Sequence, residues 1–303
     1  MASSAAGLAA DVPRALQELS TLAVGSAERA EISDRLDQCL SEMKLIIYGG
    51  DRQAGPDPVE VEQLREALLQ PSGAFLCMVT HHTHAAFEAR KLIASIVSHM
   101  LRKYSPTVKY VQDHPEMLVT LARGYTNPDI ALTCGSMLRE SLCHDDLHMV
   151  VADSAEIMGL LVQTVQRPNF DIATDAFSTF KDLMTLHKTR RCAAWMEAKY
   201  EEIFRAFSQL HRCENYVTRR LSLKLLGEVR NLTLCTGKYR AHLFRLSSPG
   251  SLSTACIRTV TGIARPNQLQ RHDAVHRRRC ESEADYASTG RHVQGNSLRG
   301  IPR

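Results

Sequence analysis

The chain has 303 residues, 44% hydrophobic and 23% charged, with Gly 16, Pro 11 and a formal net charge of +4. That size and apolar fraction allow one or two domains with a sizeable core and exclude a collagen-like or low-complexity chain. No apolar run reaches the ~18 residues of a membrane helix, the N-terminus lacks the basic and long apolar regions of a secretory signal, and a single Trp argues against an aromatic-rich sugar binder.

In chain order, residues 1–10 are Ala/Ser-rich and are expected to be disordered. A helix is expected from Asp11, where Asp11 and Pro13 suit a cap and a first turn. An amphipathic helix follows over Glu31–Tyr48. It stops at Gly49-Gly50, and 49–58 reads as a loop by composition. Val59–Leu69 is a further helix.

The middle of the chain repeats. Four segments place apolar residues at i, i+4, i+7 and i+8, which is helical periodicity. They begin at Ala89, Ile130, Ile172 and Val217, offset by 41, 42 and 45 residues. The fourth is irregular, because Lys224 takes its i+7 position. Three of the four are entered through Asn127-Pro128-Asp129, Asn169-Phe170-Asp171 and Glu214-Asn215-Tyr216, which is cap chemistry. Further helices are expected over Pro115–Arg123, Asp146–Val165 and Arg191–Leu210. Two or three helices in every 40–47 residues is the armadillo/HEAT pattern. The fold class expected is therefore an all-α helical-repeat solenoid over 11–228. The four matched segments are the candidates for the helices that line its concave face.

From Val229 the pattern fails. Residues 229–303 carry 13 basic side chains, 12 of them Arg, against 4 acids, whereas residues 1–228 carry 24 basic against 29 acidic. A segment so rich in Arg and so poor in apolar stripes is expected to be a disordered basic tail. A nucleic-acid-binding repeat protein using this tail is the alternative reading, although no aromatic residues interleave with Arg277-Arg278-Arg279 to stack bases.

Nine cysteines lie no closer than nine residues apart, at 39, 77, 134, 143, 192, 213, 235, 256 and 280. No zinc-ribbon or thioredoxin spacing is present, and buried free thiols in a reducing, cytoplasmic setting are expected. His81-His82-Thr83-His84 is the densest His cluster. With no acid or Cys spaced to complete a tetrahedral set, it is expected to be a solvated loop. His144 and His148, at i and i+4, are expected to be a surface pair with acid partners, because the spacing is not His-Glu-x-x-His. No phosphate loop, nucleophile elbow, kinase motif or calcium loop occurs. No enzyme activity, metal, cofactor or small-molecule substrate is therefore expected.

Tyr216, Arg220 and Lys224 stand at i, i+4 and i+8 on one ridge beside the stripe Val217, Leu221 and Leu225. From spacing alone this row fits a carboxylate-bearing peptide and a solvated basic face equally well.

The segments CLSEMKLIIYG (39–49), FEARKLIASIVSHMLR (87–102), YTNPDIALTCGSMLRESLCHD (125–145), FDIATDAFSTFKDLMTLHK (170–188) and ENYVTRRLSLKLLGE (214–228) resemble the calcium-binding protein 39 (Mo25-like) family. The resemblance implies an armadillo-like scaffold without catalytic activity. It implies partners among sterile-twenty-class kinases and pseudokinases in intracellular signalling, with roles in cell polarity and division in fungi and protists. It also implies a pocket for a Trp-Glu-Phe peptide end, with Arg220 and Lys224 near that pocket and Tyr216 on the same helix. In the family a helix continues after SLKLLGE and two further repeats complete the pocket. Here VRNLTLCTGKYRAHLFRLSSPG stands instead, as an alternative splice or a shifted reading frame would give.

Overall fold

The computed structural model describes residues 4–49, 55–70 and 73–231. These lie within one compact unit, Met1–Arg240, and form fourteen α-helices and one 3-10 turn, with no strand among the described residues. The all-α helical-repeat class read from the sequence is therefore the class observed.

The helices are α1 (Ala5–Thr21), α2 (Ala27–Tyr48), α3 (Pro58–Leu68), α4 (Ala74–His81), α5 (Phe87–Lys103), α6 (Ser105–Asp113), α7 (Glu116–Gly124), α8 (Ala131–Leu142), α9 (Asp145–Asp153), α10 (Ala155–Val165), α11 (Phe170–Thr185), α12 (Arg190–Ala198), α13 (Tyr200–Arg212) and α14 (Tyr216–Asn231). The 3-10 turn, His82–His84, follows α4. From α3 onward they group in threes. The third helices pack in series, α2 on α5, α5 on α8, α8 on α11 and α11 on α14. The second helices do the same through α1, α4, α7, α10 and α13. Each repeat buries its apolar stripe against the next, so no repeat is a unit by itself.

Several sequence expectations are corrected. The first helix starts at Ala5, not Asp11, so residues 5–10 are helical rather than disordered. Ser4 caps it by accepting from Gly7 N, and Leu8, Val12, Leu16 and Leu19 form its buried stripe, with Pro13 inside the helix. The stretches 146–165 and 191–210 are each two helices. Ser154, extended at φ −83° and ψ 104°, ends α9, and its side chain caps α10 at Ile157 N. Lys199 ends α12 by donating from its backbone N–H to Trp195 O. The break expected at 229 falls inside α14, where Val229 is fully buried. The remainder of the expected tail lies outside the described residues, as do residues 50–54 of the expected 49–58 loop and Arg277-Arg278-Arg279.

Polar side chains tie neighbouring third helices. The Tyr48 hydroxyl lies 3.2 Å from Ser95 Oγ. Arg102 grips Glu140 in a fork, at 3.0 and 2.6 Å. Lys181 Nζ lies 3.9 Å from Glu228. The joint between α8 and α11 is the most buried. There the Tyr125 hydroxyl donates to Asp175 Oδ2 at 2.7 Å and lies 2.7 Å from Thr179 Oγ1. Arg139 Nη1 sits 2.7 Å from the same Asp175 oxygen. Burial alone lowers the Arg139 pKa, but the bond and charge of Asp175 more than offset it, so the guanidinium stays cationic. Gly135 makes the network fit: a Cβ there would stand 2.0 Å from Asp175 Oδ2 and 2.4 Å from the Tyr125 oxygen.

Candidate functional site

The helix bearing the sequence-predicted row, α14, begins with a capping residue. Asn215 Oδ1 accepts from Val217 N at 2.9 Å and from Thr218 N at 3.5 Å. Its buried face is Thr218, Ser222, Leu225, Leu226 and Val229; of the expected stripe Val217, Leu221 and Leu225, only Leu225 is buried. The stripe thus starts one residue later than expected, 46 residues after Ile172, and the irregularity at Lys224 disappears: Leu225 and Leu226 are the i+7 and i+8 residues. Val217 is 44% exposed. The phase shift puts Tyr216, Arg220 and Lys224 across the helix from the buried stripe rather than beside it. All three are exposed, Tyr216 at 64%.

Tyr216 belongs to a larger pattern. Phe87, Leu132 and Phe170 are also large, apolar and at least half exposed. Each of the four stands at the first or second position of a third helix: α5, α8, α11 or α14. These helices run in the same direction, because like ends meet. Near the starts, Arg90 Nη1 donates to Asp129 O at 2.9 Å. Towards the ends, Arg102 meets Glu140, His187 Nε2 donates to Leu142 O at 2.7 Å, and Lys181 meets Glu228. The four apolar side chains therefore stand at the same end of one helix layer, with exposed Glu88, Asp129, Asp171 and Glu214 within three residues of them in sequence and Arg220 and Lys224 continuing along α14. Lys91 Nζ lies 5.1 Å over the Phe87 ring. Exposed apolar groups gathered in one region mark an interaction surface more often than scattered ones do. Phe87, Leu132 and Phe170 were missed in the sequence because they lie outside the buried stripe. Their signal was legible: Phe87, Phe170 and Tyr216 each precede the first buried stripe residue by two, which turns them ~200° away from the core.

The histidine expectations are overturned. His82 is 2% exposed, not solvated. Its Nδ1–H donates to Val79 O at 2.8 Å, and its Nε2 accepts from Cys134 Sγ at 3.1 Å. His148 is 1% exposed. Its Nε2–H donates to Leu183 O at 2.9 Å, and its Nδ1 accepts from Cys192 Sγ at 3.6 Å. His144 is partly buried beside it, with its Nε2 buried and unpartnered. These are core groups, and burial lowers the pKa of each. The adjacent thiols carry no nucleophile. Desolvation pushes Cys134 up to about 12 and Cys77 up to about 11, and it raises Cys192, so each stays protonated at neutral pH. Among the described residues, no group of three or more His, Cys, Asp or Glu side chains is placed to hold a metal ion. No helix of the described residues is long and apolar enough to cross a membrane.

Comparison with known proteins fits this architecture. Residues 2–234 match the model of the Mo25-like family. The chain is similar to MO25-like protein 2 of Caenorhabditis elegans, 47% identical over 195 residues, covering 63% of this chain and 56% of that protein. It is 38% identical over 201 residues to human calcium-binding protein 39-like, covering 65% and 58%. It is 33% identical over 224 residues to the Mo25-like protein of Schizosaccharomyces pombe, covering 72% and 67%. The match spans somewhat over half the length of the first two relatives. None of these three proteins is named as an enzyme. A family match over most of the chain, on the repeat architecture described above, makes this chain a member of the Mo25-like family.

Proposed function

We propose that this chain is a non-catalytic scaffold that binds protein serine/threonine kinases or pseudokinases of the sterile-twenty class in the cytoplasm and activates them. The observation that carries the reading is the exposed end of the third-helix layer: Phe87, Leu132, Phe170 and Tyr216, with Arg220 and Lys224 beside them on α14. Family membership supports the scaffold role, and the exposed cations suit a partner bearing Glu and a terminal carboxylate, such as a Trp-Glu-Phe peptide end. Activation follows from selection: a scaffold that binds the active kinase conformation better than the inactive one shifts the equilibrium towards it.

The test is a pair of titrations with a Trp-Glu-Phe-ended peptide, one on this chain and one on a version carrying a family-like C-terminus. A charge-assisted hydrogen bond contributes ~1.5–3 kcal/mol, so Arg220→Ala should weaken peptide binding roughly ten-fold or more. The helix survives the change, because Ala is a better helix former than Arg. Unchanged affinity in Arg220→Ala of the extended version would remove Arg220 from the site. Kinase activation lost in Phe170→Ser with peptide affinity intact would assign the apolar row to the kinase domain rather than to the peptide.

A further inference from the structure

The short helix α12 is held to α9 by three polar contacts at successive heights. Arg191 Nη1 lies 2.9 Å from Asp146 Oδ1 and 3.7 Å from Asp145 Oδ2. The Cys192 thiol donates to His148 Nδ1 at 3.6 Å. Trp195 Nε1 donates to Ala152 O at 3.1 Å. The middle contact depends on a neutral imidazole. His148 Nε2–H is committed to Leu183 O of α11, so Nδ1 is the lone pair that receives the thiol. The ionisable groups acting on His148 are Asp145 of its own helix, His187 just beyond α11, whose ring centroid is 4.8 Å away, and Cys192 and Arg191 of α12. Asp145 is already drawn to Arg191, and its Oδ1 is buried without a hydrogen-bond partner.

We infer that His148 makes α12 an acid-sensitive latch, which lies closed on α9 at neutral pH and detaches locally as the imidazole takes up a proton. Protonation would turn Nδ1 from acceptor to donor, leaving only the weak acceptor Cys192 Sγ to receive its N–H. It would also set a positive charge beside Arg191 and His187 in a site with 1% exposure. Release of α12 returns the ring to water, where the proton binds normally. With the ring held near 4 in the closed state and near 6.5 when released, opening should be favoured roughly 30-fold more at pH 5.0 than at pH 7.5.

Amide hydrogen exchange on the full chain tests this, with protection corrected for the intrinsic pH dependence of exchange. Protection of residues 192–198 should fall roughly 30-fold between pH 7.5 and pH 5.0, and at pH 5.0 these residues should remain less protected than α5 and α8. In His148→Gln, whose amide can both donate to Leu183 O and accept from Cys192, that fall should vanish. A fall that persists in His148→Gln, or protection of α12 that does not change with pH, overturns the latch. If His148→Gln does not fold, the wild-type chain decides alone, because equal protection of α12, α5 and α8 at pH 5.0 means that all three open only by global unfolding and also overturns the latch. The acrylamide accessibility of Trp195, the single Trp of the chain, should rise in parallel at pH 5.0.

Discussion

Gly135→Ala should destabilise the chain by about 3–5 kcal/mol, measured by urea unfolding at pH 7.5. The added methyl would meet the carboxylate and the phenol that close the joint between α8 and α11, at 2.0 and 2.4 Å. Overpacking a rigid site costs ~1–3 kcal/mol, and displacing Asp175 also weakens its bonds to Tyr125 and Arg139, each a charge-assisted bond contributing ~1.5–3 kcal/mol. Tyr125 is fully buried, so its hydroxyl has no water to turn to. Gly159→Ala is the internal comparison. It lies inside α10 with nothing within 4 Å of its added Cβ, so it should be stabilising by about 0.5–1 kcal/mol through helix propensity alone. A loss below ~1 kcal/mol in Gly135→Ala would mean that the joint yields easily and that the Tyr125–Asp175–Arg139 network does not require a glycine at 135.

Acidification should remove several kcal/mol of stability between pH 6.5 and pH 4. His82, His144, His148 and His211 all have pKa values lowered, chiefly by burial. The native state then binds fewer protons than the unfolded chain, so unfolding takes up protons below pH 6.5. The contribution of each neutral imidazole is fully present above that pH, declines as pH falls towards its native value, and changes no further below it. For His148, held near 4, the loss at pH 5 is about 2 kcal/mol and approaches ~3 kcal/mol at pH 4. The other three act in the same direction. Urea unfolding of the wild type at pH 7.5 and 5.0 measures the total. Stability that does not fall from pH 7.5 to pH 5.0 would contradict neutral burial of these rings.

Much of the architecture was legible in the amino-acid order. Apolar residues at i, i+4, i+7 and i+8 located α5, α8 and α11 to within two residues, because a repeat protein writes the same buried stripe again and again. The caps were legible too: Asn169 accepts from Ile172 N and Asn215 from Val217 N, as the Asn-rich entrances promised. Loops shorter than the pattern window were not, which is why α9 and α10 merged into one expected helix. One extended residue, Ser154, separates them, and its side chain restarts the ladder.

The sequence by itself determined the helical periodicity, the repeat of the apolar stripe at offsets of 41, 42 and 45 residues, and the ridge of Tyr216, Arg220 and Lys224, since all are written in the order of residue types along the chain. The tertiary structure alone decided which face of α14 is buried. Neighbouring helical positions differ by only ~100°, so two adjacent stripes compete, and packing on α11 and α13 selected the one containing Thr218 and Ser222 over the more apolar one beginning at Val217. It also decided the fate of the histidines. His82 meets Cys134 across 52 residues and His148 meets Leu183 across 35, partners that no local pattern names. A polar side chain is buried when a distant repeat supplies its hydrogen bond, and that supply exists only once the repeats have stacked.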